Sequence, residues 1–520
     1  MKTYTGQQYI KENFPDVLYD ESRFTSGIPQ KICFPQTTED VREIAREAFA
    51  SGTPLSIVGA QTGITGGGVP VANSIAVCFS EMNAIVRVDM TDINAPVVYC
   101  QPGATLSQIN GFLAEPSNCS CKTGQVSIPE PGLWIYPPDP TEATAQIGGT
   151  AATNASGARS YHFGPTRNHI ASLSLVFADG DFSVVKRDYH IESNDFFSFL
   201  TENGKKHIVK RPAYQSPDIK NAAGYYSKKN MDLVDLFIGS EGTLALFAEI
   251  GIKLTKSPVF LGGMSFFPGR SMAFDFASFL RTESGVAAIE YFDESAIKFV
   301  GAKIKNGDIA DIPDFPGNCA VYWEYMETSL TPFESRMDLW EKELLSKGSS
   351  FDATWSGFDK KESEFLKKFR HAVPELVNSA VAANKKKCPS VRKISTDTAL
   401  PQENFSATME NYIALFEKNK LEYVIFGHLG DFHLHCNLLP KNNDELRRAL
   451  LVYDDIMDLT IKNNGTISAE HGIGKIKTQH LCGMYGNEVM AEMRRIKSDF
   501  DPKWLLNRGN LFERLPDGIL

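Results

Sequence analysis

From Gly427 to Asn437 the chain reads Gly-His-Leu-Gly-Asp-Phe-His-Leu-His-Cys-Asn, so three of its ten histidines fall in one short stretch. Farther on comes Ser468-Ala469-Glu470-His471-Gly472-Ile473-Gly474. Imidazoles and a carboxylate are the donors of a divalent metal site, and one more histidine beside them is the material of a general base. A single histidine is most often a core residue; this density, followed by Glu-His in a glycine-rich loop, is chemistry. On a regular strand only residues an even number apart share a face, so His433 and His435 form the natural pair. His428 joins them only if the chain turns, and Gly430-Asp431 supplies a turn.

Such a site must be positioned against its reaction partner. Thr37 and Asp40 suit the two halves of a capping box, opening a helix through Val41–Ala48 that ends at Gly52. An apolar strand, Leu55-Ser56-Ile57-Val58, then runs into Gly59-Ala60-Gln61-Thr62-Gly63-Ile64-Thr65-Gly66-Gly67-Gly68. Glycines let backbone N–H groups approach a ligand, and threonines add hydroxyls, so this loop suits a phosphate or pyrophosphate. No Gly-Lys-Ser/Thr ending follows, which excludes a Walker loop. The next element is a strand, Ile75–Phe79, rather than a helix, which does not suit a Rossmann fold. A second run, Ala145-Gln146-Ile147-Gly148-Gly149-Thr150-Ala151-Ala152-Thr153-Asn154-Ala155-Ser156-Gly157, is almost free of bulky side chains. It permits close approach to a large flat ligand; the competing structural use is a tight helix contact. Strands at Val97–Cys100, Leu173–Ala178 and Ala248–Leu254, with a third glycine cluster at Gly239–Leu244, complete this first unit near Lys256-Ser257-Pro258.

Strands at Leu261–Phe267, Ala287–Phe292 and Ala320–Tyr325, with helices near 271–282 and 331–347, suit an antiparallel sheet with helices on one face. Tyr423–Phe426 leads into the histidine stretch, and the tail from about 443 reads as helical, interrupted by the Gly465–Gly474 loop. The resulting organisation is residues 1–257 as a cofactor domain with an N-terminal lead-in, 258–440 as a substrate or cap domain, and 441–520 as a helical segment returning to the cofactor. Over 520 residues, more than one domain is expected.

The totals narrow the class. A hydrophobic share of 42% with 22% charged residues is that of a globular protein. The net charge of −10 argues against nucleic acid as a partner. No apolar run reaches membrane-spanning length, and the N-terminus lacks the apolar core of a signal peptide. Nine cysteines, an odd number without a CxxC pair, fit reduced thiols in a cytoplasmic setting and argue against an iron–sulfur cluster. Peripheral contact with a membrane is left open.

The Gly59–Gly68 loop, the Ile147–Gly157 run and Gly239–Leu244 together resemble the FAD-binding domain of the vanillyl-alcohol oxidase/p-cresol methylhydroxylase (PCMH) superfamily. Gly427–Asn437, Gly465–Gly474 and Asp501–Asn507 look like its D-lactate/glycolate/D-2-hydroxyglutarate dehydrogenase branch. The resemblance runs over roughly residues 30–515 and is weak across about 258–425. It implies an α+β fold: a two-part PCMH-type FAD-binding domain, an antiparallel-sheet-plus-helices cap domain and a C-terminal helical segment. It implies FAD contacts at Gly59, Ala60, Gln61, Thr62, Gly63, Ile64, Thr65, Gly66, Pro138, Ile147, Gly148, Gly149, Asn154, Ala155, Gly157, Glu241, Gly242 and Asn507. It also implies a divalent metal, Zn or Mn, on His428, His435 and Glu470, with His471 as base. Arg370 and, more weakly, Lys393 match its substrate-carboxylate cations. His433 stands where the family carries Asn, and so could assist the substrate, become a fourth ligand or alter substrate choice.

The implied activity is oxidation of a D-2-hydroxy acid of the lactate, glycolate or 2-hydroxyglutarate type to the 2-oxo acid, with hydride passing to FAD. The electron acceptor is open among a quinone, a cytochrome and an electron-transfer flavoprotein, and a homodimer is left open. Two alternatives keep the fold: a non-redox flavin enzyme of the alkylglycerone-phosphate synthase type, and a catalytically silent FAD-binding subunit.

Overall fold

A computed structural model describes residues 1–115, 128, 130–187, 191–193, 195–305, 317–328 and 332–514. The capping box at Thr37 and Asp40 is present, and the helix Thr38–Ser51 ends at Gly52 in the left-handed region (φ 71). Its face Val41, Ile44, Ala45 and Ala48 is buried against the first sheet. That sheet has four strands in the order Lys2–Thr5, Lys31–Phe34, Ile75–Cys78, Leu55–Val58. Leu55–Val58 and Ile75–Cys78 pair in parallel, so the glycine loop between them must cross back over the sheet. That return carries the loop's backbone to one end of the sheet, where a ligand can meet it. The lead-in before Lys31 holds a strand, the helix Gln7–Asn13 and a short 3-10 turn.

A second, antiparallel sheet runs Ile85–Asp89, Val97–Cys100, Leu246–Lys253, Ile170–Val176, Phe182–Lys186. Leu246–Lys253, last of these in the chain, takes the central place between two earlier strands. Glu241 and Gly242 are thereby held beside the helix Ile147–Thr153.

An eight-stranded sheet dominates the second half, with Val259–Phe267, Cys319–Glu327, Val286–Phe292, Tyr423–Gly427 and His433–Leu438 as successive neighbours. Helices cover both of its faces rather than one. Val321, Trp323 and Tyr325 face one core with Phe276, Trp340 and Leu344. Ala320 and Tyr322 face another with Val300, Phe369 and Val373. The reason lies in the strands: Val286–Phe292 is buried at every position, so it presents no solvent face. Burying each such large apolar side chain contributes about 1.5–3 kcal/mol relative to exposure. Among the described residues no helix is long and apolar enough to cross a membrane. Seven cysteines are free; Cys119 and Cys121 lie outside the described residues.

The helices Asn443–Lys462 and Thr478–Phe500 end in a tail that returns to the first sheet. There Leu506 bridges Leu55 in parallel, and Asn507 N–H donates to the Leu55 carbonyl (2.8 Å).

Candidate flavin cavity and histidine–carboxylate cluster

The three glycine-rich segments line one cavity. Gly59–Thr65, Gly148–Gly149, Ala155, Glu241–Gly242 and Asn507 border it, as do Gln146 and Ser156, and Glu470 and His471 close it from the other half of the chain. A Cβ at Gly149 would meet nothing, and one at Gly59 only the Gln146 Oε1 at 3.5 Å, so these glycines leave open space for a ligand. Gln146 Oε1 is buried without a hydrogen-bond partner. An orphaned acceptor on a glycine-built wall fits a large ligand with donors of its own, such as FAD.

Five expected contacts lie behind that wall. Ile147 is in the core, Pro138 is buried, and Gly66 turns the chain, its N–H donating to Asp20 Oδ2 (2.7 Å). Asn154 Oδ1 accepts from the Arg167 N–H (2.9 Å), and Gly157 lies so close to the Asp139 carbonyl that a Cβ would fall 1.8 Å from it. These residues shape the cavity wall. Asn507 does both: its Oδ1 accepts from the Ile57 N–H (2.7 Å) and its Nδ2 donates to the Glu241 carbonyl (2.8 Å). Glu241 in turn accepts from the Ile473 and Gly474 N–H groups (2.6 and 2.7 Å), pinning the loop that carries His471. Burial pushes its carboxyl up to about 7.

The histidines converge as a consequence of one turn. Tyr423–Gly427 and His433–Leu438 pair antiparallel, with Phe426 opposite His435. The turn Leu429–Asp431 and Phe432 in the left-handed region (φ 52) join them. His433 and His435 share a face, with ring centroids 4.5 Å apart, and His428 lies 5.6 and 6.1 Å from them. One ligand atom from each of His428, His433, His435 and Glu470 falls within 4.8 Å of the others. His428 Nε2 is 3.1 Å and His435 Nε2 3.8 Å from the Glu470 carboxylate. Donors of a tetrahedral ion with bonds of about 2.0–2.1 Å stand roughly 3.4 Å apart, so the residues fit a divalent ion.

Charge in the cluster is tightly balanced. Burial opposes ionisation of Glu470, but His428 and Lys220 outweigh it and hold the carboxyl well below its usual range. Lys220 Nζ contacts Glu470 Oε1 (2.5 Å) and Asp431 Oδ2 (3.1 Å). Burial lowers His433, and burial together with the neighbouring His433 lowers His435 further, which favours the uncharged form of each ring. His428 is raised to about 9, burial being outweighed by Glu470.

Behind the cluster lies Asp397. Its Oδ2 accepts from Lys477 Nζ and Ser468 Oγ (2.8 Å each) and the His471 N–H (3.2 Å), and its Oδ1 accepts from the Glu470 N–H (3.2 Å). His471 Nδ1 and His433 Nε2 each lie 3.2 Å from it. Burial is outweighed by Lys477 and His471, so the carboxyl sits well below its ordinary range. With Nδ1 turned to Asp397, the other nitrogen of the partly exposed His471 is left for the cavity.

Arg370 is buried and not part of a surface charge run. It pairs with Glu290 and lies 3.6 Å from Asp139. Glu290 Oε1 is 2.8 Å from His428 Nδ1, so Arg370 reaches the cluster through Glu290. Pro374 stands four residues on in the same helix and lacks the N–H that would bond the Arg370 carbonyl. Lys393 donates to Asn378 Oδ1 (3.1 Å), outside the cluster. Sequence reasoning missed Asp397, Lys220 and Glu290 as site residues. Glu290 had a signal, as the lone charge in an otherwise apolar strand.

The family profile "FAD binding domain" matches residues 29–125 and 130–186, and "FAD linked oxidases, C-terminal domain" matches residues 263–511. A D-2-hydroxyglutarate dehydrogenase of Stutzerimonas stutzeri (strain A1501) is 27% identical over 95% of this chain and 93% of its own length. A probable mitochondrial D-lactate dehydrogenase of Danio rerio is 26% identical over 95% of this chain and 86% of its own. Substrate-bound p-cresol methylhydroxylase superposes with a TM-score of 0.68 at 12% identity, over 98% of this chain and 93% of that one, which shows a shared PCMH-type fold. The two profiles follow one another through most of the chain, and relatives match it nearly end to end: the chain belongs to the FAD-linked oxidases and is an FAD-binding oxidoreductase.

Proposed function

We propose that the chain oxidises a D-2-hydroxy acid of the lactate, glycolate or 2-hydroxyglutarate type to the 2-oxo acid. The observation that carries this reading is the place of His471, which borders the flavin cavity, has Asp397 behind it and stands beside the His–Glu cluster. The relatives' names, D-2-hydroxyglutarate and D-lactate dehydrogenases, support the substrate class.

FAD, when bound, supplies the two-electron acceptor for the substrate's Cα hydrogen. A divalent ion on His428, His435 and Glu470 would supply Lewis-acid polarisation of the substrate hydroxyl. His471 takes the hydroxyl proton on its cavity-facing nitrogen, while Asp397 holds the opposite nitrogen as the N–H form. Glu290 and the Thr396 carbonyl do the same for the outer nitrogens of His428 and His435. Arg370 neutralises Glu290, which is held at about 2 because Arg370 and His428 outweigh burial. In this reading Arg370 positions His428 rather than gripping the substrate directly. Residues 1–257 serve as the flavin-holding part, 258–440 as the cap that presents the cluster, and 441–520 as the segment that closes the cavity with Glu470, His471 and Asn507.

The test is an anaerobic screen of D- and L-2-hydroxy acids against purified FAD-loaded protein, read by loss of the oxidised flavin absorbance. Bleaching by D-acids alone is expected. Protein that holds FAD but is bleached by no member of the panel refutes the proposal.

A further inference from the structure

Three imidazoles, not two, direct a nitrogen at Glu470. His428 presents Nε2 (3.1 Å), His435 Nε2 (3.8 Å) and His433 Nδ1 (3.8 Å). Each ring turns its other nitrogen to an acceptor: Glu290 Oε1 at 2.8 Å, the Thr396 carbonyl at 3.2 Å and Asp397 Oδ1 at 3.2 Å. We propose that His433 is a fourth protein ligand to the divalent ion, which this chain then holds through three imidazoles and one carboxylate. The inference rests on the metal reading given above.

The argument starts from Asp397. Its oxygens already take hydrogen bonds from Lys477 and from the Glu470 and His471 N–H groups, so it is an acceptor only. The nitrogen facing it, His433 Nε2, therefore carries the ring proton. That leaves a lone pair on His433 Nδ1, fully buried, pointing at a carboxylate oxygen. Among the described residues no donor satisfies this nitrogen. A buried lone pair facing a carboxylate oxygen is repelled by it and goes without a partner unless a cation lies beside it. Lys220 does not fill the role: it reaches Glu470 and Asp431 and makes no hydrogen bond to His433. Glu470 Oε1 already accepts from Lys220 Nζ and from Ser156 Oγ (2.9 Å), while Oε2, which faces His435 Nε2, keeps its lone pairs for an ion. His428 and His433 approach Glu470 Oε1 and His435 approaches Oε2, and one ligand atom from each of the four residues lies within 4.8 Å of the others, close enough to gather around one ion.

Two consequences follow. Three nitrogen donors favour zinc over manganese or magnesium, which prefer oxygen. Four protein ligands also fill a tetrahedron, so a hydroxy acid binds only by raising the coordination number.

The experiment is zinc K-edge X-ray absorption on the FAD-loaded full chain reconstituted with zinc, together with a chelator-competition measurement of zinc affinity. The expected result is imidazole scattering from about three rings in the wild type and about two in His433→Asn. Zinc affinity in His433→Asn and in His433→Gln should fall by more than the roughly 10- to 100-fold that losing an outer-shell partner costs. The oxidised flavin spectrum reports that each variant is folded, and the wild-type ring count needs no variant. Two imidazoles in the wild type, or unchanged affinity in both folded variants, overturns the fourth-ligand assignment while leaving the metal reading standing. A wild type that retains no zinc overturns both, and the flavin-bleaching screen still reports independently on hydroxy-acid oxidation.

Discussion

Replacing Asp397 with Asn removes one charge and almost no volume, yet it should disable the site. Six groups surround this carboxylate: Lys477 Nζ, Ser468 Oγ, the Glu470 and His471 N–H groups, His471 Nδ1 and His433 Nε2. The Ser468 hydroxyl can also accept a hydrogen bond, and His471 Nδ1 or His433 Nε2 can do so only if its ring proton moves to the other nitrogen, so either orientation of the amide points an NH2 group at donors or forces a change of tautomer. Lys477 also loses the carboxylate it pairs with, in a place where it is itself buried. Breaking one side of such a buried pair costs roughly 3–5 kcal/mol of stability. His471 loses the group that fixes which nitrogen carries its proton, and a positioned general base is worth on the order of 10²–10⁴ in rate. At about 1.4 kcal/mol per factor of ten, that is roughly 3–5 kcal/mol of activation free energy. The assay is anaerobic stopped-flow reduction of bound FAD at saturating D-2-hydroxy acid, beside a thermal melt and a flavin spectrum. Asp397→Asn should reduce its flavin at least about 100-fold more slowly, and Asp397→Glu, which keeps the acceptor, should recover part of that rate. A folded, FAD-loaded Asp397→Asn protein within about threefold of the wild-type rate would refute the reasoning.

His471→Ala should slow flavin reduction by about 10²–10⁴ while FAD stays bound; a near-normal stopped-flow rate removes His471 as the base. Asn507→Ala should break the bonds to Ile57 and Glu241, costing about 1–3 kcal/mol for the buried groups left unpaired and weakening FAD retention on gel filtration. The Glu241 carboxyl is raised from 4.5 to about 7 by burial. Its contribution to stability is thus fully present below about pH 4.5 and is lost as pH rises through about 7. Thermal unfolding across that window should show a downward slope in the wild type that flattens in Glu241→Gln. Equal slopes would mean that Glu241 is not the group responsible.

Much of the fold was legible because its signals are local. The capping box at Thr37 and Asp40, the turn at Gly52 and the apolar run Leu55–Val58 each depend on a few neighbouring residues, and each appears as expected. The sheet's two covered faces were not legible. A nearly all-apolar run such as Ala287–Phe292, broken only by Glu290, states that a strand is buried but not what lies on each side. Ile147 and Gly157 show the same limit within the flavin motif: small and apolar residues in a ligand-binding run can as easily build the wall as touch the ligand.

The sequence by itself determined the donor types, the glycine loops and the pairing of His433 with His435 on one strand face, because these follow from side-chain chemistry and the two-residue repeat of a strand. Only the tertiary structure decided which acids and cations complete the site. Glu290, Asp397 and Lys220 come from three separate parts of the chain, and Lys220 reaches Glu470 across 250 residues. A buried charge has no function until packing assigns its partners, since its protonation, orientation and cost all depend on what is brought within a few ångströms of it. For the same reason His433 carries no assignable role in the sequence. Its proton is set by Asp397 and its lone pair by Glu470, and neither lies within thirty residues of it in the chain.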